Sequence, residues 1–419
     1  MNSKDVVRQS LAHRAGRVPV DFGSTSVTGL HVSVVEALRR HYGLPAGPVR
    51  VFEFYQMLGE VTDDLREAMG IDTVGVLPRG TAFGFTTEGA WREWRCPWGQ
   101  VVLVPAGFQT RTDPNGDIRI FPGGDLTVPP SGHMPASSYF FDAIIRQPPI
   151  DEAKLNPADN LEEYGLLSDL DVAYWTERAQ ALRHCPRLVV GNMGGTGLGD
   201  IARVPGISLR HPKGIRDVSE WYMAIVERRD YVHAVFERQY EIALQNLVRF
   251  HAIMGDVIDV LFVCGTDFGT QASQFCSVQT FDELYLPHYR RLNDWVHRHT
   301  TWKTIKHSCG AIDPLLPSLI RAGFDIINPV QCSATGMDPR HLKQAYGRDL
   351  VFWGGGVDTQ HTLPFGTPDQ VRAEVRERLR RFSPDGGFVF NSIHNIQART
   401  PLPNILAMLE AVRAFNAGD

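Results

Sequence analysis

The chain has 419 residues, with a hydrophobic fraction of 43% and a charged fraction of 21%, the proportions of an ordinary globular protein with ample material for a large core. Its formal net charge of -5 argues against a general nucleic-acid or anionic-membrane surface, since both need a basic field. The start of the chain is amphipathic rather than signal-like, no apolar run is long enough to span a bilayer, and Cys96, Cys185, Cys264, Cys276, Cys309 and Cys332 are scattered. A cytoplasmic protein with reduced thiols is therefore expected.

In chain order, residues 5–13 carry a helical pattern and 17–23 read as a short strand ending in a small polar loop at 24–28. A helix over 31–42, with Val34, Val35 and Leu38 on one face and Gly43 as its stop, completes a strand-loop-helix unit. The pattern predicts another helix over 58–69, closed by Gly70, and a strand over 71–77. Between 86 and 122 the period changes to alternation around Trp91, Trp94 and Trp98, then 101–104 and 118–121, with Asp113-Pro114-Asn115-Gly116 as a turn: a set of antiparallel hairpins. Residues 123–149 are rich in Gly, Pro and Ser, carry Tyr139, Phe140 and Phe141, and read as a lid or a surface excursion packed on those hairpins.

From there helices (171–183, 218–254, 281–299, 315–322, 339–346, 369–381, 402–415) alternate with strands (187–190, 257–263, 302–306, 325–329, 350–353, 387–390). About eight strands with short links predict an α/β protein: a single (β/α)8 TIM barrel over 1–419, with a hairpin and loop insertion at 86–150. No Gly-x-Gly-x-x-Gly in a strand-to-helix context and no P-loop is present, which argues against dinucleotide and nucleotide enzymes. The Arg-rich run at 372–381 reads as a solvated helix face paired with Glu374 and Glu377.

In a barrel, polar residues at the C-terminal ends of the strands face one mouth. Those ends supply Asp21, Asn192, Asp267, His307 with Cys309, Gln331 with Cys332, Asp358, and Asn391 with His394 and Asn395. His307 and Cys309, one residue apart on extended backbone, point to the same side, and an imidazole and a thiolate both suit zinc. His394, after the last strand, is the natural third ligand, and Cys332, on a neighbouring strand, is its rival. Each also has a plainer reading, as a buried thiol or a hydrogen-bonded imidazole. Asp267, between Gly265 and Gly269, reads as a general base, as a carboxylate orienting a ligand, or as a cap for the next turn. Asp21 and Asp358 either meet substrate or tie down their own loops.

These pieces together resemble the uroporphyrinogen decarboxylase superfamily. The matching motifs are Asp267-x-Gly-x-Gln271, His307-x-Cys309-Gly310, Gly323-x-Asp325, Gly356-Val357-Asp358, Gly366-Thr367-Pro368-x-x-Val371, His394-Asn395-Ile396 before Thr400-Pro401, and Arg17-Val18-Pro19-Val20-Asp21. The resemblance implies a single (β/α)8 barrel. The decarboxylases' Arg-Gln-Ala-Gly-Arg loop is replaced by Phe22-Gly23-Ser24-Thr25-Ser26, and Val76-Leu77-Pro78 stands where they carry an Asp, so porphyrinogen decarboxylation is disfavoured. The His-x-Cys motif is similar to the zinc methyltransferase branch, which moves methyl groups between a corrinoid protein and a thiol or other acceptor. That resemblance implies His307 and Cys309 as zinc ligands, with His394 where the branch has a late Cys. It also implies cobalamin carried by a partner protein, because no Asp-x-His-x-x-Gly corrinoid motif is present. Asp21, Asn192, Gln271, Gln331, Asp358 and Asn391 are the expected substrate-binding residues. Two other readings stay open: a lyase for a small carboxylated substrate, with Asp267 and His307 as acid and base, and a non-catalytic barrel that binds a tetrapyrrole or a corrinoid protein.

Overall fold

Seven short runs rich in β-branched residues are almost wholly buried, as parallel strands covered by helices must be. They are Thr73–Val76, Leu188–Gly191, Val260–Cys264, Lys303–His307, Ile326–Asn328, Val351–Trp353 and Phe388–Val389, paired in that order into one parallel sheet. The computed structural model, which describes residues 2–418, closes the sheet through Val20, which bridges Phe390 in parallel and accepts the Asp72 N–H at 2.8 Å. The result is a (β/α)8 barrel. The first strand, expected over 17–23, is reduced to this bridge, since Pro19 has no N–H to contribute to a ladder.

Alternation along each strand sends Val190, Phe262, Ile305, Ile326, Val351 and Val389 into the barrel interior, while Val189, Leu261, Val263, Ile327 and Phe352 pack outward against the helices. The helix Ser3–Leu11 plugs the lower end. Its Val7 and Leu11 join the interior cluster, and Lys4 and Arg8 pair with Asp259 just before a barrel strand begins. Only the end formed by the strands' C-termini is left open for chemistry.

Two small sheets sit outside the barrel. One runs Leu58–Gly59, Val49–Glu53, Val101–Pro105, Trp91–Arg95, and the other Thr110–Thr112, Ile118–Ile120, Gly132–Met134, Asp142–Ala143. Strands 49–53 and 58–59 therefore join the hairpins from outside 86–150. Leu58 and Gly59 are strand because they pair with Val51 and Glu53, which confines the expected 58–69 helix to Asp63–Met69, stopped at Gly70 in the left-handed region. Residues 123–149 supply two strands and the buried Phe141. The long helix expected over 218–254 breaks at Arg228 into Val218–Glu227 and Arg229–Met254. Among the described residues no helix is long and apolar enough to cross a membrane.

Candidate metal centre and active site

His307 ends the Lys303–His307 strand with its side chain turned to the barrel interior, two residues beyond Ile305 on the same face. Its Nε2 lies 3.4 Å from Cys309 Sγ and 3.6 Å from Asp267 Oδ1. His394, from the loop after the last barrel strand, brings its ring to 5.3 Å from that of His307 at an angle of 72°. One donor atom from each of His307, Cys309 and His394 lies within 4.8 Å of the others. Zinc bonds to nitrogen and sulfur at about 2.0–2.3 Å, which sets tetrahedral donor atoms about 3.5 Å apart. The His307–Cys309 spacing already meets that figure, and a two-nitrogen, one-sulfur set with an adjacent carboxylate suits the ion.

Electrostatics agree with the donor set. Burial holds His307 down to about 3 and His394 down to about 4, the latter helped by His307, so both imidazoles are neutral and have a lone pair to give. The Cys309 thiol is pushed well above its usual range by burial and then by the neighbouring Asp267 carboxylate, so a cation is what would make it a thiolate. Asp267 Oδ1 accepts the Cys309 N–H at 2.7 Å, which locks the carboxylate beside the thiol.

Residues 208–415 match the family model of uroporphyrinogen decarboxylase (URO-D). That part of the chain belongs to the uroporphyrinogen decarboxylase family. No curated protein matches it by sequence. Among solved structures, a methyltransferase from Methanosarcina mazei aligns over 99% of both chains at 16% identity, with a TM-score of 0.52. A D-psicose 3-epimerase aligns over 62% of this chain and 85% of its own at 11% identity, with a TM-score of 0.32.

Elsewhere in this uroporphyrinogen decarboxylase-type barrel, the expected residues divide by what their polar atoms already hold. Gln331 Oε1 accepts the Gly310 N–H at 2.8 Å and its Nε2 donates to Gln271 Oε1 at 3.0 Å, so both glutamines buttress the turn after Cys309. Asn192 lines a cavity of about 1960 Å³ at the mouth and caps its own loop through Gly194. Asp21 does not face substrate: it is fully buried, and its carboxylate accepts from Thr73 Oγ1 (2.6 Å), Ser24 Oγ (2.8 Å) and Trp353 Nε1 (2.8 Å). Asp358 holds its loop by accepting from the Gln360 N–H at 2.7 Å and pairing with His361 at 3.1 Å. Asn391 is buried and donates to the Asp21 carbonyl at 2.7 Å, while its Oδ1 has no partner. Cys332 lies apart from the triad: its Sγ donates to the Val330 carbonyl, its charged surroundings are Arg378, Glu374 and Asp338, and burial pushes it up to about 12.

Three residues were not legible in advance. Asp200 stands in the cavity wall, its carboxyl raised by burial with a contribution from Asp267, and marks where the cavity approaches the triad. Lys306 is fully buried behind the site, donating to the Thr266 and His307 carbonyls and lying 5.0 Å from the centroid of the Phe268 ring. Asn328 hydrogen-bonds His307. For the second, the available signal was a lysine at the end of the 302–306 strand, next to His307.

Proposed function

We propose that the protein is a zinc-dependent methyltransferase, moving a methyl group between a corrinoid carried by a partner protein and a small thiol or other acceptor, or demethylating a small methylated substrate. The observation that carries this reading is the convergence of His307, Cys309 and His394 donor atoms at the open end of the barrel. When bound there, zinc would supply Lewis-acid activation of the acceptor's sulfur or oxygen.

The chain's own residues do the rest. His307, Cys309 and His394 would hold the ion as its three protein ligands. Asp267, fixed by the Cys309 N–H, takes the proton that the acceptor gives up. A cavity with Asp200 and Gly265 in its wall opens near Asp267 and gives an acceptor a route to the site. The assay supplies zinc-loaded protein with methylcob(III)alamin and a small thiol, and reads thioether and cob(I)alamin formed in equal amounts. Zinc-dependent turnover that is lost in Cys309→Ala is the expected result. A lyase reading draws on the 3.6 Å approach of Asp267 to His307. Metal-independent decarboxylation of a small acid, with no methyl transfer, would replace the proposal by that one.

A further inference from the structure

Resting on the metal reading of the site, we infer that Asn328 is the residue that sets which nitrogen of His307 is free to bind. Asn328 is the register partner of His307 on the adjacent parallel strand and is fully buried. Its side chain makes two contacts, and one of them identifies its atoms. The carbonyl of Trp353 can only accept, so the Asn328 atom 2.7 Å from it is Nδ2, donating. That leaves Oδ1 facing His307 Nδ1 at 2.5 Å, and since a side-chain carbonyl can only accept, Nδ1 must carry the hydrogen.

In a neutral imidazole the other nitrogen then has the lone pair, and Nε2 is the atom 3.4 Å from Cys309 Sγ. A free neutral imidazole prefers the opposite tautomer, with its proton on Nε2, which would leave the nitrogen beside Cys309 without a lone pair for an ion. Asn328 reverses that preference before any ion arrives. Asn328 is itself held by Trp353, whose indole Nε1 donates to the buried Asp21 carboxylate at 2.8 Å. Asp21 thus reaches the site through Trp353 and Asn328, fixing the geometry from inside the barrel rather than touching substrate.

The test uses the full chain and two variants. Asn328→Ala removes the acceptor, while Asn328→Asp keeps one for His307 at the cost of the amide donor to Trp353 and an added carboxyl group. Nitrogen-15 NMR of histidine-labelled, zinc-free protein reads the tautomer, chelator competition reads zinc affinity, and urea unfolding reads stability separately. The expected result is a proton on Nδ1 of His307 in the unmodified chain, zinc affinity weakened about 10- to 100-fold in Asn328→Ala, and affinity within about threefold in Asn328→Asp. A proton on Nε2 in the unmodified chain overturns the inference, as does equal weakening in both variants or unchanged affinity in Asn328→Ala. If the unmodified chain takes no zinc, the metal reading fails, and the tautomer alone decides the role of Asn328.

Discussion

Gly310 has a φ of 88°, and a Cβ there would meet the Thr270 carbonyl at 2.6 Å and the Gly269 backbone closer still. The Cys309-Gly310 pair is therefore what lets the 267–271 loop close over the thiol. Gly310→Ala is expected to cost about 1–3 kcal/mol from backbone strain and to weaken zinc binding by pushing Asp267 away from the Cys309 N–H. Urea unfolding and a zinc titration check both effects, and unchanged values in either would contradict this account of the turn. At this scale His307, Cys309 and His394 were legible because strand ends in a barrel face one mouth. Asn328 was not, since within the expected 325–329 strand no local pattern reveals its pairing with His307. Of the two readings of Asp21, the one that ties down its own loop is seen in the Ser24 contact, while its link to Trp353, far along the chain, left no local signal.

The outer sheets are tied to the barrel by elements whose role is chiefly structural. His31 caps the helix Val32–His41, accepting the Ser33 N–H at 3.1 Å, and its Nε2 meets the Tyr139 carbonyl at 3.1 Å between the rings of Trp98 and Tyr139. Burial lowers His31 to about 4, against about 6.5 in an unfolded chain. Above about pH 6.5 both states are neutral. As pH falls towards 4 the unfolded chain takes a proton that the folded one refuses, so stability is lost, by about 2 kcal/mol at pH 5 and about 3 kcal/mol in all. His31→Gln is expected to remove that part of the pH dependence between pH 7 and 5 in denaturant titrations, and parallel slopes would contradict it. Arg216, 1% exposed, clamps the 159–163 turn by pairing with Glu163 at 2.8 Å and donating to the Asp159 carbonyl. Arg216→Ala, which strands Glu163, is expected to cost about 3–5 kcal/mol by urea unfolding, and a loss under about 1 kcal/mol would contradict a buried pair. Periodicity located most of these elements and erred where strand pairing decides instead, as at Leu58 and Gly59, which fold back on Val51 and Glu53.

For the whole molecule, the alternation of strand and helix was enough to read the barrel, because each strand buried on both faces leaves a continuous apolar run. The closing segment around Val20 and the outer sheets depend on contacts between residues far apart in sequence, such as Val20 with Phe390, which periodicity does not carry. If the triad is a metal centre, zinc bound only by the folded chain stabilises it, by about 2.7 kcal/mol at a free concentration 100-fold above Kd. A zinc-dependent rise in Tm is expected, absent in Cys309→Ser. The most direct measurement is the zinc content of the purified chain, prepared without chelators and challenged with added zinc, beside His307→Ala, Cys309→Ala, His394→Ala and Cys332→Ala. The account predicts about one zinc per chain, lost in the first three variants and kept in Cys332→Ala. An unmodified chain that takes up no zinc, or a Cys332→Ala variant that loses it while His394→Ala keeps it, would contradict the proposed centre.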